Sequence, residues 1–168
     1  MKRLIIFIAP PGAGKTELAN YLCENHPNSI ILNKTDFTKE KTEQEYFDKI
    51  NQYLKEYDWV ILDSQNVLYG DRVRLFNNLK LEDTTKIIGI WIEVSRKEAY
   101  SRNKKKLLKE QSKKSDIDFL FKYKMSPIPE EPFEDVYYIM RDANIAMSKS
   151  YPYITTTFGI LDRFINDN

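Results

Sequence analysis

Gly12-Ala13-Gly14-Lys15-Thr16 places two glycines around one residue and follows them with a cation and a hydroxyl. Glycine lets backbone N–H groups turn inward and approach an anion closely. A helix opening just after the glycines adds unsatisfied donors and a partial positive charge. Lys15 has the length to reach β- and γ-phosphates, and the Thr16 hydroxyl can ligate Mg²⁺. The wider segment Ala9-Pro10-Pro11-Gly12-Ala13-Gly14-Lys15-Thr16 matches the phosphate-loop pattern, with Ala9 in place of its first glycine. The predicted ligand is the triphosphate of ATP or a related nucleotide, held by Pro11, Gly12, Ala13, Gly14, Lys15 and Thr16.

Two carboxylates stand at comparable places further on. Asp63 follows the apolar run Val60-Ile61-Leu62, where phosphate-loop enzymes usually place the acid that holds Mg²⁺ directly or through water. Asp36 follows Ile30-Ile31-Leu32 after a short polar stretch and could accept the proton of an attacking hydroxyl. In an open parallel sheet the ligand sits beyond the carboxyl ends of the strands. Lys15, Asp36 and Asp63 would then converge on one cleft.

Cations dominate a later stretch. Residues 96–114 carry nine Lys or Arg and two Glu, a net +7 within a chain of net +1. Such a segment could close over a nucleotide and neutralise charge on a transferred phosphoryl group, or track a nucleic-acid backbone. Arg102 and Lys106 lie one helical turn apart on one face and are its predicted functional pair.

The elements that must position these groups alternate. Continuous apolar runs predict strands at 4–9, 30–32, 59–62, 87–94 and 136–140. Helical spacing predicts helices at 14–25, 40–57, 70–80 and 96–110, with inward residues Val73, Phe76 and Leu79 in the third. Ser115-Asp116-Ile117-Asp118 resembles a capping box opening a short helix. Ile160, Leu161, Phe164 and Ile165 suggest a closing helix; 141–158 carries no clear pattern. Alternation of this kind predicts an α/β domain with a parallel sheet and helices on both faces.

The 168 residues fit one domain, 1–168, with residues 96–114 as a lid. Hydrophobic residues at 42% and charged residues at 30% are ordinary for a soluble globular protein. The single cysteine, Cys23, excludes an intramolecular disulfide. No apolar run approaches the roughly 20 residues of a membrane span, and the expected location is cytoplasmic. His26 reads as a helix-end surface residue, and Trp59 and Trp91 as core.

Taken together, these motifs resemble the small phosphate-loop kinases that include polynucleotide 5′-hydroxyl kinases, zeta-type toxins and antibiotic phosphotransferases. The resemblance covers about residues 1–141. It rests first on Ile8 to Thr16, then on Val60-Ile61-Leu62-Asp63-Ser64-Gln65-Asn66 followed by Asp71-Arg72. Ser101-Arg102-Asn103-Lys104-Lys105-Lys106 looks like the family's lid, and Pro129 to Tyr137 like the lead into its last strand. It implies a three-layer P-loop NTPase fold with five parallel strands and the phosphate-loop strand central. It also implies Asp36 as general base, with Asp63 and Asn66 beside the acceptor and Arg72 in the substrate-binding set. Polynucleotide kinases follow the base with a second aspartate and an arginine that grips the acceptor's phosphate. Here Asp36-Phe37-Thr38-Lys39 leaves only Lys39, a point charge rather than a fork. Lys106 likewise stands where a second lid arginine is expected.

Three functions compete. The first is an ATP- and Mg²⁺-dependent kinase acting on the 5′-hydroxyl of nucleic acid. The second is a kinase for a small acceptor such as a nucleoside, nucleotide, sugar nucleotide or drug. The third is a nucleotide-binding module without transfer, which would have no use for the aspartate after the second strand.

Overall fold

A computed structural model describes residues 1–37, 42–140, 145–147, 154–155 and 165–166. Its centre is β1 (Lys2–Ile8), whose alternate side chains enter two different cores. Ile5 and Phe7 face one side, while Leu4, Ile6 and Ile8 face the other, as the two-residue period of a strand requires. Both faces are covered, which is why the run is apolar throughout rather than alternating.

The remaining elements are α1 (Lys15–Asn25), β2 (Ser29–Asn33), α2 (Glu43–Glu56), β3 (Trp59–Asp63), α3 (Tyr69–Asn78), β4 (Thr85–Glu93), α4 (Arg96–Lys104), α5 (Lys114–Tyr123), β5 (Asp135–Met140), β6 (Ile145–Met147) and β7 (Ile154–Thr155). Strand order is β2-β3-β1-β4-β5-β6-β7. The first five strands are mutually parallel, and β6 and β7 extend the edge antiparallel. The five-stranded parallel sheet expected from the sequence is therefore present, and two short strands from the stretch without a pattern are added to it. Register aligns Ile6 with Leu62 and Asn33 with Asp63, so the carboxyl ends of β1, β2 and β3 finish level beneath one crevice.

Helix α1 buries Leu18, Ala19 and Leu22 on the Ile5/Phe7 side, with Cys23 half-buried beside them. Helix α2 buries Tyr46, Phe47, Ile50 and Leu54 on the opposite side. Its start is fixed by a capping box between Thr42 and Glu45. His26 closes α1 and stacks on buried Trp59 at 3.6 Å between ring centroids. Trp91 is likewise buried.

Several expected boundaries move. Helix α4 stops at Lys104 instead of running to 110. Gln111 Nε2 donates to the Lys104 and Lys106 carbonyls at 3.2 and 2.9 Å. Buried Asn103 exchanges two bonds with the Ser112 backbone, at 2.9 and 3.0 Å. These side chains satisfy groups that further helix would otherwise satisfy. Leu107 and Leu108 stay 62% and 88% exposed, so continuing the helix would have buried nothing with them. The capping box read at Ser115 is absent: α5 opens after Lys113 with no side-chain cap bond. Ser95 instead caps α4 by accepting from the Glu98 N–H at 3.1 Å. In α3 the fully buried residues are Arg72 and Leu75, with Val73, Phe76 and Leu79 half-buried around them. Of the expected closing helix, only 165–166 lie among the described residues; they are helical, and Ile165 is buried.

Candidate functional site

The loop between β1 and α1 is shaped by its two glycines. Gly12 has φ +80° and Gly14 φ +89°, conformations an L side chain adopts at a cost. Gly12 is doubly required: a Cβ there would lie 2.6 Å from the Ala99 carbonyl oxygen of α4. The phosphate loop and the basic helix are thus in backbone contact. Ala13 is fully buried, and its N–H is turned onto the Pro10 carbonyl at 3.3 Å, so in this conformation it is not offered to a phosphate. Ala9 N–H donates to the Gln65 carbonyl at 2.8 Å, tying the loop to the end of β3.

Lys15 folds back over its own loop. Its Nζ donates to the Ala9 and Pro10 carbonyls at 3.2 and 3.0 Å. Burial pulls its pKa from 10.5 down to about 8; Asp63 opposes the shift and Lys106 adds to it. Among the described residues no carboxylate is in ion-pair contact with this ammonium, and a triphosphate would supply an anion at that distance. Thr16 Oγ1 donates to Asp63 Oδ2 at 2.7 Å, and Asp63 is 5% exposed. A hydroxyl and a carboxylate in contact at the foot of a phosphate loop are hard oxygen donors that fit Mg²⁺. Among the described residues there is no group of three or more His, Cys, Asp or Glu that could hold a metal. A cation here would complete its shell with phosphate and water, as Mg²⁺ usually does.

These residues line a cleft of about 770 Å³ together with Asn33, Lys34, Thr35, Asp71, Arg102, Lys105 and Lys106. Pro11, Gly12, Gly14, Lys15, Thr16, Asp63, Asn66, Arg102 and Lys106, all singled out from sequence, share that wall. Asp36 does not: it is exposed on a short 3₁₀ turn (Lys34–Phe37), one residue beyond Thr35, which does line the cleft. Lys39 lies outside the described residues. Arg102 Nε donates to Glu98 Oε1 at 2.8 Å, one turn back on α4.

Arg72 requires a correction. It is 0% exposed, and no acceptor can touch it. Its Nε and Nη2 form a fork on Glu131 at 2.6 and 3.0 Å, and its other donors reach the Asn66, Met125 and Ser126 carbonyls. All five guanidinium N–H donors are engaged. Glu131 also accepts from the Ile128 N–H at 2.9 Å. Arg72 therefore pins the chain before β5 to the loop after β3. Nothing near Arg72 in sequence marks this role, since its partner is 59 residues away.

Asn66 is also held from within. It adopts φ +45°, and its Nδ2 donates to the Phe7 carbonyl at 3.0 Å and to Ser64 Oγ at 2.7 Å. Tyr46 OH lies 3.5 Å from Ser64 Oγ, and burial pushes the Tyr46 pKa up to about 12. Helical spacing in the sequence gives no sign of this polar end. The only sequence sign was a Tyr among the apolar positions of α2.

A phosphate loop on the central strand of a parallel sheet, with its threonine bonded to an aspartate at the end of the neighbouring strand, defines a P-loop kinase-type fold. The chain belongs to the KTI12 family: the model described as chromatin associated protein KTI12 matches residues 2–141. Among solved structures, Chaetomium thermophilum Kti12 in complex with ADP-AlF3 aligns with TM-score 0.68 at 16% identity, over 98% of this chain and 97% of that one. A fungal RNA kinase aligns with TM-score 0.65 at 20% identity, over 99% and 83%. A gluconokinase from Sinorhizobium meliloti 1021 aligns with TM-score 0.56 at 10% identity, over 95% and 86%. At these identities the likeness is one of fold. No curated protein matches the sequence. No helix among the described residues is long and apolar enough to cross a membrane.

Proposed function

We propose that the protein is an ATP-dependent phosphotransferase that transfers the γ-phosphoryl group to a hydroxyl, with the 5′ end of a nucleic acid as the favoured acceptor. The carrying observation is the Thr16–Asp63 contact beside a half-buried Lys15, facing Arg102 and Lys106 across one cleft. The Gly12–Thr16 backbone and Lys15 hold the phosphates. Thr16 and Asp63 would hold Mg²⁺, which would supply positive charge to offset that developing on the phosphates. Arg102 and Lys106, on the lid at 96–114, face the phosphoryl group from the other side and stabilise it electrostatically. Asp36 takes the acceptor's hydroxyl proton as the new O–P bond forms and ADP departs. It stands on the turn next to Thr35, which lines the cleft. The Kti12 bound to ADP-AlF3 and the RNA kinase, both of similar fold, support a nucleotide here and a nucleic-acid acceptor.

The test is transfer of label from γ-labelled ATP with Mg²⁺ to a 5′-hydroxyl oligonucleotide, with Lys15→Ala as control. Label that disappears in the variant supports the assignment. ATP hydrolysis with no labelled acceptor of any kind would replace it with a nucleotide-driven module.

A second reading has its own support. With Arg72 committed to Glu131, the cleft wall outside residues 96–114 offers Asn33, Lys34, Thr35, Gln65 and Asp71, and no arginine among the described residues. Such a wall fits a hydroxyl without a neighbouring phosphate, as in a nucleoside or sugar. A label-free oligonucleotide alongside a labelled small acceptor would establish that reading.

A further inference from the structure

The basic segment has two faces, and only one belongs to the cleft. Glu98, Arg102 and Lys106 point at the phosphate loop. Arg96, Lys97, Tyr100, Ser101, Lys104 and Lys105 line a separate open groove of about 720 Å³ on the other side of α4. Four of these six residues are cations, and none is acidic. Lys105 lines both the groove and the cleft, so the two surfaces meet at the carboxyl end of α4.

Single surface lysines are mostly just solvated, but these are gathered along one groove that meets the cleft. Four surface lysines elsewhere pair with carboxylates, Lys2 with Glu82, Lys34 with Glu43, Lys86 with Glu134 and Lys124 with Glu93. Among the described residues Lys97, Lys104 and Lys105 have no carboxylate within ion-pair reach. The floor is also fixed in place. The Tyr100 hydroxyl donates to Asp118, which pairs with Arg96 at 3.5 Å, and Lys114 sits 5.8 Å over the Tyr100 ring. Unpaired cations one or two helical turns apart, beside a positioned aromatic ring, repel one another until a polyanion arrives.

We propose that the outer face of α4 binds the phosphodiester backbone of a single-stranded nucleic acid, whose end reaches the phosphate-loop cleft by way of Lys105. The continuation into the cleft rests on the kinase reading above; backbone binding at the groove does not. Recognition is by charge, and by stacking of any base on Tyr100, so it is tolerant of sequence.

The experiment is fluorescence anisotropy of a labelled single-stranded oligonucleotide across a salt series. It compares the wild type, Lys15→Ala, and the double variant Lys97→Gln/Lys104→Gln. On a single strand each phosphate contact contributes about −0.7 to the slope of log K against log salt. The double variant should therefore bind poly-U and poly-A equally weakly, with a slope shallower by about 1.4. Lys15→Ala should retain the wild-type slope. Transfer to a small hydroxyl acceptor should be unchanged in the double variant, which also verifies its fold. An unchanged slope in the double variant would overturn the proposal. So would equal competition by polyglutamate of matched charge, which would make the groove a site for acidic polypeptides. Groove binding without any oligonucleotide phosphorylation would sink the nucleic-acid kinase reading and still support the groove.

Discussion

Arg72→Met decides between two roles for one residue. As an acceptor contact, Arg72 could be removed with little effect on folding and a large rise in KM. The geometry says otherwise. Met preserves much of the side-chain volume, so the main loss is electrostatic: five engaged donors disappear, and the Glu131 carboxylate, 4% exposed, keeps only the Ile128 N–H. Breaking a buried pair from one side costs about 3–5 kcal/mol, because the surviving charge has no compensation. For a chain of this size each kcal/mol moves Tm by about 2–4 °C, so a fall of about 6–20 °C is expected. Converting the partner as well, in Arg72→Met/Glu131→Gln, removes the stranded charge and should recover part of the loss, with a coupling of about 0.5–3 kcal/mol. Thermal unfolding followed by circular dichroism measures both, and a fluorescent ATP analogue well below Tm reports the cleft. A Tm within a degree or two of wild type, combined with a raised acceptor KM, would refute the structural role and return Arg72 to the substrate-binding set.

Four further outcomes follow from the site. Gly12→Ala should abolish nucleotide binding and lower Tm, since φ +80° alone costs about 1–2 kcal/mol and the new Cβ meets the Ala99 carbonyl at 2.6 Å; wild-type ATP affinity would contradict this. Lys15, with a pKa lowered from 10.5 to about 8, loses its proton as pH rises through about 8, so ATP affinity should fall above that pH and be flat there in Lys15→Met. The stability effect has the opposite sign: between about 8 and 10.5 the unfolded chain binds more protons, so the ligand-free protein gains stability from Lys15 as pH rises, which a pH series of melts in both proteins can detect. Asp63→Asn should raise the Mg²⁺ concentration needed for turnover far more than it alters binding of metal-free nucleotide, measured by titration calorimetry. Asp36→Asn should keep ATP binding and reduce turnover by about 10²-fold or more; unchanged turnover removes Asp36 as the base.

How much of this was legible in the sequence depends on how far apart the cooperating residues lie. The nucleotide side was readable because its parts are local. Gly12, Gly14, Lys15 and Thr16 are consecutive or nearly so, the strand before them is an apolar run, and the helix after them follows from the same spacing. Asp63 was readable because a strand end is itself a local signal, and parallel register then carries it to Thr16. The helical start of the basic segment was visible as charge. Its end was not, because Asn103 and Gln111 stop the helix through bonds across the loop. Arg72, placed in the substrate-binding set by resemblance, gave no sign of its framework role because Glu131 lies 59 residues away.

The cleft wall facing the phosphate loop is assembled from β2's end, the loop after β3 and the basic segment, three stretches with no shared local motif. Its polar groups divide into those held by the fold and those left over. Asn66 and Arg72 are bound into the backbone of β1 and of the segment before β5, so substituting them would damage the frame first. Lys34 is paired with Glu43 at 3.0 Å and Arg102 with Glu98, but both stay at the cleft wall and can exchange partners. Lys105 and Lys106 have no such partner among the described residues. On the proposed acceptor assignment, selectivity would lie with the cleft-lining Lys34, Gln65, Arg102, Lys105 and Lys106.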